Sequence, residues 1–220
     1  MPEEVEGLLE VLTGAEVYSR GGFTLHRGVL AGKQVLVAQC GIGKVNAAAL
    51  AQVFVLEGAR QLIFTGVAGG LAPGLAVGDI VVSTDAAQHD VDVRALGYAL
   101  GEVPGEPLSW PADSALQRAA LGAAQALGEV AVVSGRVLSG DQFIADKERA
   151  RALYETFGGL CAEMEGAAVA QVCSHAGVPF VIIRSLSDSA DGGAEGDFRA
   201  FTPLAARRAK AVVLGMLGHL

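Results

Sequence analysis

Cysteine is scarce in this sequence, and the placement of its three cysteines excludes two classes of protein. Cys40, Cys161 and Cys173 are far apart, and no Cys-x-x-Cys pair or Cys/His cluster accompanies them. This spacing is unlike that of a disulfide-framed domain or a structural zinc site. We therefore expect free, buried thiols in a reducing compartment, and no bound metal.

Basic residues and long apolar runs are also lacking. Lys and Arg number 16 against 24 Asp and Glu, and the resulting net charge of −8 argues against nucleic acid or an anionic membrane as main partner. The longest uncharged stretch, Gln61–Gly78, is interrupted by Pro73 and several glycines, so it is a poor membrane span. The first residues are acidic, unlike a secretory signal. These features predict a cytoplasmic protein.

Apolar residues, by contrast, are abundant enough for a sizeable core. The 220 residues are 51% hydrophobic and 18% charged, which is typical of a folded chain. Segments with helical spacing alternate with short apolar runs that resemble strands buried on both faces. No linker or repeat divides the sequence. We therefore predict an α/β fold in a single domain, residues 1–220, with three αβα layers around a central mixed, mostly parallel twisted sheet.

Capping and turn residues indicate where several elements begin. Residues 3–12 have the spacing of an amphipathic helix, and Asp113 is a candidate N-cap for another. Thr202-Pro203 has the pattern of a cap followed by the first residue of a C-terminal helix. Residues 85–113 follow no regular pattern, and a loop of that length is usually functional or part of an interface.

The segment Val178–Asp191 is a candidate site because a polar run follows its predicted strand. In α/β sheets, ligands bind beyond the carboxyl ends of strands. Asp188 is therefore placed where a catalytic acid would be. The alternative is an Asx turn or a helix N-cap, both common roles for aspartate.

Two glycine-rich turns follow other predicted strands. Gly41–Lys44 is not a Walker A loop, because Ala38 and Val45 stand where that loop needs glycine and Ser or Thr. It is not a dinucleotide fingerprint either, since Asn46 replaces the third glycine. A turn that lines a site with backbone amides and a simple strand-to-helix connection both fit it. Gly66–Gly70 is a second small-residue turn of this kind.

Two carboxylates and an aromatic residue complete the set of candidates. Glu163 and Glu165 flank Met164 between an apolar run and an apolar helix, a context in which acids are usually paired or functional. Strand alternation would place both on one face, and helix capping is the alternative. Phe143 follows a strand and could stack on a planar base or fill a satellite core contact. No histidine is assigned a role, and His89 is expected at the surface.

Eight short motifs occur along nearly the whole chain in a characteristic order: Glu3-Glu4-Val5, Gly41-Ile42-Gly43-Lys44-Val45, Thr65-Gly66-Val67-Ala68-Gly69-Gly70-Leu71, Val77-Gly78-Asp79-Ile80-Val81-Val82-Ser83, His89-Asp90-Val91-Asp92-Val93, Ser139-Gly140-Asp141, Glu163-Met164-Glu165 and Ser187-Asp188-Ser189-Ala190-Asp191. Each is short, but the combination is specific. Together they resemble the 5′-methylthioadenosine/S-adenosylhomocysteine nucleosidase family of the nucleoside phosphorylase superfamily.

The resemblance implies a hydrolase that splits the N-glycosidic bond of both thioethers in methionine salvage and the methyl cycle, with no cofactor. Asp188 would donate a proton toward adenine N7, and Glu4 would position and deprotonate the attacking water. Glu165 and Met164 would hold the ribose hydroxyls. Phe143 would stack on adenine, whose edge the backbone of Ile144 would read. The remaining implied substrate-binding residues are Ile42, Ala68, Gly69, Glu163, Arg184, Ser187 and Phe198.

The resemblance also implies a homodimer in which each subunit completes its neighbour's site. The matching segment contains Val93, Leu96, Tyr98 and Pro104. Two features depart from the family pattern. The short apolar strand that ends in Gly-Ala-Met ahead of the family's glutamates is missing here. Val67 and Leu96 stand where the family often has serine and phenylalanine, which affects the alkylthio pocket.

Three other functions fit part of the pattern. A purine nucleoside phosphorylase would need a phosphate site, but Phe64 and Val67 stand where such relatives tend to carry arginine and serine. A futalosine-type hydrolase would differ in its substrate. A non-catalytic nucleoside-binding protein would not need the three acids Glu4, Glu165 and Asp188.

Overall fold

The computed structural model describes residues 2–128, 130–188 and 194–220, without the side chains of residues 2–4, 194–200 and 202. The helices are α1 (Pro2–Leu9), α2 (Lys44–Leu56), α3 (Ser114–Gln125), α4 (Lys147–Phe157), α5 (Gly166–Ala176) and α6 (Ala194–Leu217). The strands are β1 (Thr13–Arg20), β2 (Phe23–Leu30), β3 (Lys33–Val37), β4 (Leu62–Gly70), β5 (Ile80–Gln88), β6 (Trp110–Pro111), β7 (Val132–Ser139), β8 (Gly159–Glu163) and β9 (Phe180–Asp188).

The strands form two sheets, which differs from the prediction of one central sheet. Strands β1, β2 and β3 form an antiparallel sheet, and the other six follow the order β6-β5-β7-β8-β4-β9. Because β5 also pairs with β9, strands β5, β7, β8, β4 and β9 close into a barrel-like ring. The α/β class and the mixed character of the sheet are confirmed: within the described residues, β4–β9, β5–β7 and β7–β8 pair in parallel over longer registers than the antiparallel pairs β4–β8, β5–β6 and β5–β9. The expectation of a simple twisted sheet is what the ring closure corrects.

Irregular strand register gives a physical reason for the closure. The pairing of β5 with β7 shifts between Ser83 and Ala86, and that of β4 with β9 shifts between Ala68 and Gly69. Such bulges bend a strand and increase its twist, which helps a sheet to close on itself. Residue alternation along a single sequence does not reveal this curvature.

Strand β9 lies at the centre of the core, with all nine residues buried. Val181 and Ile183 belong to one buried cluster with residues of α3 and α6. Ile182, on the opposite face, belongs to a second cluster with residues of α2 and α5. The prediction of a strand buried on both faces is thus confirmed, and it explains how helices cover the sheet from two sides.

Two elements were predicted poorly. Strand β1 was not predicted, because its residues are mostly exposed and lack an apolar alternation. Its antiparallel pairing with β2 forms the strand, although its own residue pattern does not predict one. The last helix begins at Ala194, and Pro203 lies inside it rather than at its start. None of the helices in the described ranges has the length and hydropathy needed to cross a bilayer.

Candidate active site

A cleft of about 1520 Å³ runs along β3 and β4 and reaches the carboxyl ends of β3, β4, β8 and β9, where the predicted site residues lie. This position agrees with the rule that ligands bind beyond the carboxyl ends of strands. Strand β3 and the first part of β4 contribute to its walls. One edge of β3 pairs with β2, and one edge of the first part of β4 pairs with β9. No described strand pairs with their other edges. Ten of the predicted site residues line it: Ile42, Ala68, Gly69, Phe143, Glu163, Met164, Glu165, Arg184, Ser187 and Asp188.

The other predicted site residues either do not line this cleft or lie outside the residues that the structure describes. The side chain of Ile144 packs into a buried cluster with residues of α4. Of the proposed partner-subunit segment, Leu96 is 72% exposed and Tyr98 36% exposed. That segment, with Val93 and Pro104, does not line this chain's cleft. The side chains of Glu4 and Phe198 lie outside the described residues, as do residues 189–191.

Asp188 is the last residue of β9 and is only 2% exposed. It pairs across the sheet with Gly69 of β4, which also lines the cleft. The prediction of a turn at Gly66–Gly70 is wrong, because these residues continue β4 and pair with β9. The Ser187 hydroxyl donates to Asp188 Oδ2 at 2.8 Å. A buried, oriented carboxyl at a cleft wall is suited to proton exchange with a bound base.

Glu165 occupies the N-cap position of α5, but its side chain makes no capping hydrogen bond. Its Oε1 instead accepts a hydrogen bond from the Gly43 N–H at 2.8 Å. Its Oε2 lies 3.8 Å from Arg184 Nη2. Two groups from distant parts of the chain therefore fix this carboxylate at the cleft wall.

Glu163 takes the capping role at the same helix end. Its carboxylate accepts hydrogen bonds from the Gly166 N–H at 2.8 and 2.9 Å and from the Glu165 N–H at 3.1 Å. The Ser139 hydroxyl and the Arg184 guanidinium also donate to it. Burial raises the pKa of this carboxyl, while Arg184, Ser139 and the helix N–H group oppose the shift. Strand alternation was expected to place Glu163 and Glu165 on one face, but β8 ends at Glu163, so that alternation does not extend to Glu165.

Arg184 joins the two glutamates from the middle of β9. Only 3% of this residue is exposed, and its guanidinium lies 4.6 Å from the centre of the Phe64 ring. The guanidinium pairs with Glu163 and approaches Glu165. A buried ion pair of this kind is costly to break from one side, so it holds the site in one arrangement.

A polar cluster beside the cleft was missed by sequence reasoning. The Lys44 ammonium donates to Gln88 Oε1 at 2.8 Å and to Asp90 Oδ1 at 2.6 Å. Asp90 Oδ2 accepts from the Asp141 N–H at 2.9 Å. Burial pushes the pKa of Asp90 upward, but hydrogen bonds from Lys44 and Asp141 outweigh it and hold the pKa below the usual range. Lys44, Asp90 and Asp141 each stand in one of the eight motifs, but no local pattern in the sequence joined them.

The prediction that His89 lies at the surface is wrong. The residue is 1% exposed, packs beside Gly140, and follows the buried end of β5. Burial lowers the pKa of its imidazole; the charges of Arg149 and Lys44 add to this effect, and Asp90 opposes it. The surrounding polar residues suggested exposure, whereas the strand actually extends further than its apolar run.

The groups in the cleft that are suited to catalysis are carboxylates rather than a thiolate. Cys40 also lines it, but burial and then the nearby Glu165 raise the pKa of this thiol to about 11, so it is not a thiolate at neutral pH. Within the described ranges, no three His, Cys, Asp or Glu side chains are grouped so that they could hold a metal ion. Acids on two sides of an apolar cleft can stabilise positive charge and deliver a proton.

Comparison with known proteins identifies the family. The model of the phosphorylase superfamily matches residues 1–218. A 5′-methylthioadenosine/S-adenosylhomocysteine nucleosidase of Actinobacillus succinogenes is 44% identical over 223 aligned residues, covering 100% of this chain and 96% of the relative.

Solved structures agree with this assignment. The nucleosidase of Neisseria meningitidis, bound to methylthio-immucillin-A, has a TM-score of 0.95 and 42% identity, covering 100% of this chain and 96% of that one. A futalosine hydrolase mutant of Helicobacter pylori has a TM-score of 0.95 and 34% identity, with the same coverage of 100% and 96%. The chain therefore belongs to the phosphorylase superfamily and, within it, to the family of 5′-methylthioadenosine/S-adenosylhomocysteine nucleosidases.

Proposed function

We propose that this protein hydrolyses the N-glycosidic bond of 5′-methylthioadenosine and S-adenosylhomocysteine, releasing adenine and the thioribose sugar. The observation that carries the proposal is the presence of Asp188 and Glu165 on the wall of one cleft. Relatives that match the whole of this chain carry the nucleosidase name, and the one from Neisseria meningitidis binds methylthio-immucillin-A. Family membership and site chemistry thus support the same reaction.

The proposed mechanism follows from the charges that develop when the bond breaks. As the bond between ribose C1′ and adenine N9 lengthens, the sugar becomes positive and the base negative. Asp188 transfers a proton to N7 of the base, and the electron pair of the broken bond leaves with adenine. Glu165 and Met164 bind the ribose hydroxyls, and water activated by Glu4 attacks C1′. The reaction needs only side chains and water, and each proton-transfer role contributes roughly 10²–10⁴-fold in rate.

The base and the alkylthio group would occupy opposite ends of the cleft. Phe143 is 54% exposed at the cleft, where its ring can stack on adenine. The neighbouring backbone at Ile144 would read the base edge. Ile42 is 69% exposed at the cleft and would contact the alkylthio group with Phe198. Ala68, Gly69 and Ser187 line the side of the sugar and base, and the Glu163–Arg184 pair supports Glu165 from behind.

We further propose a homodimer that completes the site. Leu96 and Tyr98 are large apolar side chains on the surface, at 72% and 36% exposure, and Leu108 is 44% exposed in the same segment. Leu96 and Tyr98 are two positions apart, and neighbouring exposed apolar residues are typical of protein interfaces. Val93, Leu96, Tyr98 and Pro104 would then cover the alkylthio end of the neighbouring subunit's cleft.

The test is incubation of the purified protein with each thioether in phosphate-free buffer, followed by separation of the products. We expect free adenine and a free thioribose sugar from both compounds. Release that occurs only with added phosphate and yields a sugar phosphate would identify a phosphorylase. Turnover of futalosine with no turnover of the two thioethers would assign the substrate to the other hydrolase class. Tight binding without any base release would identify a binding protein.

A further inference from the structure

The Gly41–Lys44 turn directs a backbone amide at a candidate catalytic carboxylate. The Gly43 N–H donates to Glu165 Oε1 at 2.8 Å. Gly43 has φ of 96° and ψ of 157°, a conformation that residues with a side chain rarely adopt. A Cβ added at Gly43 would also lie 3.2 Å from Asp141 Oδ1. The direction of this N–H therefore depends on a backbone conformation that the surroundings must maintain.

A closed ring of hydrogen bonds maintains that conformation from the next residue. The Lys44 N–H donates to Asp141 Oδ1 at 2.8 Å, and the Asp141 N–H donates to Asp90 Oδ2 at 2.9 Å. The Lys44 ammonium closes the ring on Asp90 Oδ1 at 2.6 Å, and it also donates to Gln88. The ring joins the start of α2 to the segments that follow β5 and β7.

Burial makes this ring stronger than an ordinary surface ion pair. The side chains of Lys44 and Asp90 are only 17% and 13% exposed. Exposed pairs contribute little to stability, whereas removing one partner of a largely buried pair leaves the other charge uncompensated. Gln88, in turn, is held by a hydrogen bond to Gln171 of α5 at 2.9 Å, so the ring is also connected to the helix that Glu165 begins.

We propose that Lys44 is a positioning residue that orients the Glu165 carboxylate through the Gly43 N–H. The kinetic consequence of this inference depends on the nucleosidase function proposed above, but the structural consequence does not. The same ring fixes Asp141, two residues before Phe143, so it sets the sugar-binding and base-stacking parts of the cleft relative to each other. The lysine that resembles part of a phosphate loop serves instead to hold a carboxylate.

The first experiment measures hydrogen exchange of the Gly43 amide by NMR, which requires no substrate. Lys44→Met keeps the length of the side chain but removes its charge, and we expect exchange at Gly43 to accelerate by about 10-fold or more. Asp141→Ala, which breaks the ring from its other side, should have the same effect. Lys44→Arg should retain most of the protection. Lys210→Met, which removes the exposed pair with Glu10, is the matched control and should leave it unchanged.

The second experiment is a double-mutant cycle on adenine release. Lys44→Met should lower kcat/KM by roughly 10–100-fold in the wild-type background, but by less than about 3-fold when Glu165→Gln is already present. A merely structural lysine would cost the same factor in both backgrounds, and that result would overturn the proposal. Unchanged Gly43 exchange in Lys44→Met would overturn it as well. If the wild type releases no adenine, the nucleosidase function fails, while Gly43 exchange still decides the role of Lys44.

Discussion

At the scale of single residues, Asp188 is a nearly buried carboxyl at the end of β9, on the wall of the cleft. It is 2% exposed, and the Ser187 hydroxyl orients one of its oxygens. Its sequence neighbours predicted a position at the carboxyl end of a strand, and that prediction is confirmed. The catalytic role itself stays a prediction.

Replacing Asp188 by asparagine should abolish most turnover without abolishing binding. Asparagine has nearly the same shape and can still contact Ser187, but it cannot donate a proton to the leaving base. We expect kcat to fall by roughly 10²–10⁴-fold. Adenine release gives kcat, and calorimetry with a non-hydrolysed analogue measures binding. Glu155→Gln alters an exposed carboxylate paired with Arg151 on α4 and serves as the control. Full activity of Asp188→Asn would contradict the assignment.

His89 should make the stability of the protein depend on pH. Its pKa is lowered in the folded state, chiefly by burial, so below the unfolded value of about 6.5 the unfolded chain binds the extra proton. Stability is therefore present above that pH and declines as pH falls, with a slope of at most ~1.4 kcal/mol per pH unit from this residue.

The measurement is urea unfolding at several pH values between about 8 and 5. His89→Gln should flatten the decline across this window, whereas the exposed His219→Gln should leave it unchanged. An identical slope in wild type and His89→Gln would show that other groups titrate.

At the scale of elements, the sequence predicted correctly those features that depend on only a few neighbouring residues, such as helix caps. Asp113 was predicted as an N-cap, and its Oδ1 indeed accepts from the N–H groups of Ala115 and Leu116, both at 2.9 Å. Strand β1 was missed because its pairing with β2, rather than its own sequence, supplies its hydrogen bonds. The start of α6 was placed at Thr202-Pro203, whereas the helix begins at Ala194. Propensity is a weak guide where tertiary contacts supply the missing hydrogen bonds.

The cap at Asp113 gives a prediction at this scale. Asp113→Ala leaves the first N–H groups of α3 without their acceptor, and we expect a loss of about 1 kcal/mol in the free energy of unfolding. Chemical denaturation measures it. Asp113→Asn keeps an oxygen acceptor and should cost distinctly less. Equal losses in the two variants would mean that charge, not the hydrogen bond, stabilises this helix end.

At the scale of the whole molecule, the order of strands in the larger sheet brings the site together. Strand β4 lies between β8 and β9, with Gly69 paired to Ala162 on one side and to Asp188 on the other. This places the end of β9 near Glu163, the last residue of β8, and Glu165, which follows it. The proposed homodimer extends the same principle, because the neighbouring subunit would cover the remaining open end.

Leu96 tests that extension. Leu96→Asp introduces a charge into the proposed interface, and we expect the dimer to dissociate at least about 10-fold more readily, with lower activity per chain at low concentration. Sedimentation velocity and adenine release over a concentration series measure both effects. Val17, which is also exposed but lies on β1, provides the control variant Val17→Asp. A wild type that is monomeric and fully active would contradict the proposed homodimer.

The sequence by itself determined the α/β class, most helix and strand positions, and the types of residue that line the site. These follow from hydrophobic periodicity, capping and short motifs, all of which act within a few residues. Only the tertiary structure decided that the sheet closes into a ring, that Glu163 caps α5 while Glu165 faces the cleft, and that Lys44 joins three segments. The Glu163 cap is local, three residues from Gly166, but the sequence pattern allows either glutamate to cap the helix. Ring closure depends on strand curvature, and the positions of Glu165 and Lys44 depend on contacts between residues 46 to 122 positions apart, which no local pattern encodes.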